Sequence, residues 1–90
     1  MSTEVQRHAA EYEITVDGTH AGYAFFELHE GVVVFTHTEI DDAFEGQGLG
    51  SQLARAALDD VRSRGLRVRP DCPFIRSWIE RHPDYQELVA

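Results

Sequence analysis

Lysine is absent from this 90-residue chain, cysteine and tryptophan occur once each, and basic residues number half the acidic ones. With Lys+Arg at 8 against Asp+Glu at 16, the formal net charge is -8. That balance argues against duplex nucleic acid as a partner, since phosphate binding draws on clustered Lys and Arg, whereas a cationic amine would suit an acidic surface. The lone cysteine, Cys72, excludes an internal disulfide and fits a reducing compartment. Residues Met1 to Val5 are neither basic nor apolar, and no run approaches the roughly 20 apolar residues of a membrane span. The expectation is a cytoplasmic protein with no membrane or nucleic-acid partner. His8, His20, His29 and His82 stand at no ligand spacing, so no metal site is expected.

A chain of this size buries only about 60 to 65% of its unfolded surface, enough for one small core. Its 42% hydrophobic and 27% charged composition is that of a folded protein, and residues 1–90 read as one domain. Tyr12, Ile14 and Val16 alternate with Glu11, Glu13 and Thr15, the pattern of a half-buried strand. Asp17-Gly18 supplies a hairpin turn, and Tyr23 to Leu28 is apolar on both parities, as in a central strand. Glu30-Gly31 marks another turn before Val32 to Ile40, which begins β-branched and ends polar.

From Gly48 to Arg64 the period changes to that of an amphipathic helix, with Leu49, Leu53, Ala56, Ala57 and Val61 on one face. Gly65 ends it, and Leu66 to Arg69 read as a short strand limited by Pro70. Strand, helix and strand here predict a right-handed crossover between parallel strands. Pro73, favoured at a first helical position, opens a helix bearing Phe74, Ile75, Trp78 and Ile79 that His82-Pro83 stops. A last turn around Tyr85, Leu88 and Val89 is expected to pack on the sheet.

Glu45-Gly46-Gln47-Gly48-Leu49-Gly50 lies between a buried strand and a helix start. There, unpaired N–H groups and the positive end of the helix dipole converge with no side chain to obstruct an anion. A Walker loop would need Gly-Lys-Ser/Thr at its end, and a dinucleotide fingerprint would need Gly or Ala where Ser51 stands.

The segment resembles the coenzyme A loop of the GNAT acetyltransferases, with the pattern Arg/Gln-x-x-Gly-x-Gly/Ala. Gly48 and Gly50 match, and Glu45 occupies the Arg/Gln position. Together with His37-Thr38-Glu39-Ile40, Cys72-Pro73-Phe74 and Arg81-His82-Pro83-Asp84-Tyr85, it is similar to the compact YjdJ-type GNAT domain from Tyr12 onward. The resemblance implies an α/β (α+β) shortened GNAT fold, a mixed antiparallel sheet with one parallel strand-helix-strand crossover. It also implies acetyl-coenzyme A as cosubstrate, entering where two parallel strands splay. Thr38, Glu39 and Ile40 would contact the pantetheine arm, and Gln47, Gly48, Leu49, Gly50 and Ser51 the pyrophosphate.

Acetyl transfer to an amine needs a positioned base of moderate basicity. His37 and Glu39 share strand parity at the polar end of their strand and are the nearest candidates; the bland alternative is surface hydrogen bonding. Cys72 precedes Pro73 as a helix N-cap, where a thiol is favoured as a nucleophile, although Asp71 opposes a thiolate there. Trp78 and Tyr85 read as core, and Arg76 as either a phosphate contact or a solvated helix residue. The expected activity is N-acetyl transfer from a coenzyme A thioester to an amine of unnamed identity, small molecule or protein. The alternatives are coenzyme A binding without turnover and transfer through a Cys72 thioester. Oligomeric state is not readable.

Overall fold

A computed structural model describes residues 2–90. Five strands, β1 (Thr3–Arg7), β2 (Glu11–Val16), β3 (Thr19–His29), β4 (Val32–Ile40) and β5 (Arg67–Pro70), form one sheet in the order β1-β2-β3-β4-β5. The first four pair antiparallel and β4 pairs parallel with β5. The connection between that parallel pair is α1 (Leu49–Ser63); α2 (Pro73–Glu80) and a 3-10 segment (Pro83–Leu88) follow. This is the mixed α/β sheet with a single crossover that the periodicities predict. No described helix is long and apolar enough to cross a membrane.

The helices cover one face of the sheet. Tyr12, Ile14 and Val16 of β2, Ala24 and Phe26 of β3, and Val33 and Phe35 of β4 pack in one cluster with Leu53, Ala57, Leu58 and Val61 of α1 and with Ile75, Trp78 and Ile79 of α2. Each such large side chain is worth about 1.5–3 kcal/mol when fully buried. On the opposite face Glu11, Glu13, Thr15, Tyr23 and Phe25 are only half-buried.

Three features depart from the sequence reading. The edge strand β1 carries only Val5 as an inward apolar residue, too sparse a pattern for periodicity to reveal. It is held instead by its ladder to β2 and by Arg7, which donates to Asp60 of α1 at 2.7 Å. The final segment packs mainly against helices: Tyr85 donates to Asp59 of α1 at 2.7 Å and meets Trp78 edge to face, and the chain reaches the sheet at its end, where Val89 bridges to Val68 and Ala90 N–H donates to the Val68 carbonyl at 2.8 Å.

The third departure is a bulge in β4. Phe26 pairs with Phe35 but Phe25 pairs with His37, leaving Thr36 as the extra residue. Uninterrupted alternation would carry His37 and Glu39 to the helix side with Phe35. The bulge instead turns them to the open face, where the His37 ring stacks on Phe25 at 6.2 Å.

Candidate functional site

The parallel ladder of β4 and β5 runs only from Val32↔Arg67 to Phe35↔Pro70. Cys72 N–H donates to the Phe35 carbonyl at 2.8 Å, and then the chain turns into α2. Thr36 to Ile40 of β4 therefore run on paired to β3 alone, with no strand on their other edge, which is the splay that the resemblance implies. Across it, Thr38 Oγ1 lies 3.3 Å from Cys72 Sγ.

The chain leaves β4 through a 3-10 turn, Asp42–Phe44, whose preceding Asp41 accepts from Ala43 N–H at 3.1 Å. The glycine loop follows. Gly46 and Gly48 take left-handed angles, φ 80° and 74°, which glycine adopts without steric cost. Gly48 is the N-cap of α1 and its carbonyl accepts the first helical bond, from Gln52 N–H at 3.3 Å. The N–H groups of Leu49, Gly50 and Ser51 thus have no partner one turn back. Gly50 serves a different purpose: a Cβ there would lie 2.8 Å from Phe74 Cζ, so its absence leaves room for that ring over the helix start. Trp78 Nε1–H donates to Ser51 Oγ at 2.8 Å, tying α2 to the start of α1.

A cleft of about 460 Å³ opens over this helix start, lined by Ile40, Glu45, Gly48, Gly50, Phe74 and Arg81, among others. Leu49 and Ser51 also line it, whereas Gln47 is exposed outside it. Loop donors, the dipole and one guanidinium suit a phosphate-bearing ligand; the Glu45 carboxylate is the one opposing charge on its wall. Arg76 is not part of this cleft. Its guanidinium donates to the carbonyls of Pro70 and Asp71, and Arg81 is the cation that lines it among the described residues.

On the open face a second cleft, of about 580 Å³, is lined by His20, Gly22, Tyr23, His37, Thr38, Glu39, Ile40, Asp41 and Asp42. The two clefts share Ile40. Gly22 lets β3 and β4 close tightly at this junction, since a Cβ on it would stand 2.6 Å from both the Glu39 carbonyl and Ile40 Cδ1. His37 Nε2 and Glu39 Oε1 lie 3.2 Å apart, each side chain 61% exposed. Cys72 is buried and lines neither cleft. Among the described residues no group of His, Cys, Asp and Glu is arranged to hold a metal ion.

Sequence reasoning passed over His20 and Glu13. Glu13 accepts from His8 Nε2 and from His20 Nδ1, both at 2.9 Å. The bond from His8, with that from His20, holds the Glu13 carboxyl below its usual range against slight burial. No local spacing signals this cluster, because the ladder and its bulge between Ile14 and Thr15 bring His20 opposite Thr15.

A sequence profile described as GCN5-related N-acetyl-transferase matches residues 11–88. Protein NATD1 of Bos taurus is 31% identical over 87 residues, which are 94% of this chain and 77% of that protein. Protein NATD1 of Homo sapiens is 30% identical over 87 residues, again 94% of this chain and 77% of the relative. Among solved structures, a GCN5-like protein from Staphylococcus aureus superposes with a TM-score of 0.74 at 20% identity, covering 97% of this chain and 87% of its own. The Escherichia coli ribosomal-protein-S18-alanine N-acetyltransferase gives a TM-score of 0.62 at 19% identity, over 71% of this chain and 43% of that enzyme.

Proposed function

Because the chain belongs to the GCN5-related N-acetyltransferase family, we propose that it binds acetyl-coenzyme A at the glycine loop and transfers the acetyl group to an amine held in the open-face cleft. The observation that carries this reading is the meeting of two clefts at Ile40, where β4 runs on past the end of β5. On one side are phosphate-compatible backbone donors and Arg81; on the other are His37, Glu39, Asp41 and Asp42, which favour a cationic amine.

In this reading Thr38, Glu39 and Ile40 offer the exposed edge of β4 to the pantetheine arm, and Gly48, Leu49, Gly50 and Ser51 offer N–H groups to the pyrophosphate, with Gln47 at the rim. Bound acetyl-coenzyme A supplies the thioester. His37 or Glu39 receives the proton that the amine sheds, directly or through one water. Direct attack is preferred to a Cys72 thioester because the buried thiol lies in neither cleft and is engaged by Thr38. We further assign residues 1–90 as one domain of the compact YjdJ-type branch, on the strength of the Cys72-Pro73-Phe74 and Arg81 to Tyr85 segments. We place it in the cytoplasm, where a lone free thiol is stable.

The test is calorimetric titration of acetyl-coenzyme A into wild type and Gly48→Glu. The variant forces a side chain into a left-handed position and sets a carboxylate among the loop donors. At least a tenfold loss of affinity is expected; unchanged binding removes the loop from the site.

A further inference from the structure

We propose that His20, oriented by Glu13, takes the place of His37 or Glu39 as the proton acceptor for the incoming amine. The inference rests on the acetyl-transfer reading and deepens it. His20 lines the open-face cleft together with Thr38 and Ile40, the β4 residues along which the thioester arm would lie. Its Nδ1 is 2.9 Å from Glu13 Oε2. An ionised carboxylate has only lone pairs, so Nδ1 must be the donor and the neutral ring carries its free lone pair on Nε2. Among the described residues Nε2 has no hydrogen-bond partner.

The ring is restrained as well as oriented, packing on Tyr23 at 4.1 Å between centroids. Glu13 is in turn restrained by His8, and its side chain is only 18% exposed. By contrast the His37 and Glu39 side chains lie 3.2 Å apart with 61% of each in solvent, and the His37 ring stacks only loosely on Phe25, at 6.2 Å. A carboxylate that fixes an imidazole's tautomer and direction is the recurring arrangement for an imidazole base, and here the second strand supplies the carboxylate and the third the imidazole. The groups facing His20 are Glu13 and His8 from the β1–β2 side, Tyr23 on its own strand, and His37, Glu39, Asp41 and Asp42 across the cleft.

The step balances. An ammonium in the cleft gives one proton to His20 Nε2, and the freed nitrogen lone pair forms the C–N bond to the thioester carbonyl. The C–S bond breaks, the departing coenzyme A thiolate takes up the second proton released as the amide forms, and His20 returns its proton to water. Glu13 is a positioning residue throughout.

The experiment measures thiol release from acetyl-coenzyme A with spermidine and with a peptide bearing a free basic N-terminus as the two acceptor probes, in wild type, His20→Gln, Glu13→Gln and His37→Gln. For a lost general base, His20→Gln is expected to lower kcat by about 100-fold, while the amine KM and the calorimetric acetyl-coenzyme A Kd stay within about twofold of wild type. For a lost orienting partner, Glu13→Gln is expected to lower kcat by about 10-fold, and nitrogen NMR of the imidazole should show loss of the Nδ1–H tautomer at His20. Amide fingerprint spectra check that each variant is folded, and either variant alone suffices for the test. Wild-type kcat in His20→Gln, a change confined to KM, an unaltered tautomer in Glu13→Gln, or a larger kcat loss in His37→Gln each overturns the assignment while leaving acetyl transfer standing. Coenzyme A binding with no thiol release from either probe in wild type overturns the transfer reading and this inference with it.

Discussion

Replacing Gly22 by alanine adds one methyl group at the junction of the two clefts, and the added carbon has nowhere to go. It would stand 2.6 Å from the Glu39 carbonyl oxygen and 2.6 Å from Ile40 Cδ1. Ile40 Cδ1 can rotate away, but a ladder carbonyl cannot. The end of β4 must therefore move by several tenths of an ångström, out of register with β3 at Gly22↔Ile40. Overpacking of this kind costs about 1–3 kcal/mol, and the backbone contact puts it near the top of that range. Alanine's smaller entropy loss in a strand offsets about 0.5–1 kcal/mol. The net is a loss of about 2 kcal/mol, which for a domain of this size lowers Tm by roughly 10 °C. Since Glu39 and Ile40 would be displaced, acetyl-coenzyme A affinity should fall too. Thermal unfolding and calorimetry of Gly22→Ala would measure both. A Tm within about 2 °C of wild type and unchanged affinity would refute the claim that this close approach shapes the junction.

Tyr12 is buried beneath α1 and donates to Asp60 Oδ2 at 2.6 Å; burial first, then the Asp60 carboxylate, pushes its phenol up to about 12. Between about pH 10, the ordinary tyrosine value, and about 12 the folded chain keeps a proton that the unfolded chain sheds. Denaturant midpoints should therefore fall as pH rises through that window, and Tyr12→Phe should flatten the fall. Arg81→Gln should weaken acetyl-coenzyme A binding about threefold to tenfold, for loss of one charge-assisted contact at the rim, with the deficit shrinking at high salt. An equal deficit at all salt concentrations would mean that Arg81 acts through packing. Cys72→Ala should retain transfer, and intact mass spectrometry of wild type after incubation with acetyl-coenzyme A alone should find no acetylated protein. A stoichiometric adduct lost in Cys72→Ala would reinstate the thioester route.

The sequence by itself determined what local chemistry determines. Period two in Tyr12, Ile14 and Val16 made a strand with one buried face, period 3.6 from Leu49 to Val61 made α1, and Pro73 after Cys72 made α2 with that cysteine as its N-cap. The glycine loop was equally legible, because left-handed angles at Gly46 and Gly48 are a property glycine carries with it. What only the tertiary structure decided are relations between strands. An edge strand with a single apolar residue is defined by its neighbour's hydrogen bonds. A bulge at Thr36 depends on the register between β3 and β4, yet it alone sends His37 and Glu39 to the open face. Glu13 and His20 lie on different strands, and Arg81 reaches the loop cleft from beyond α2. Such pairings are set by packing across the sheet, a long-range condition that no window of neighbouring residues contains.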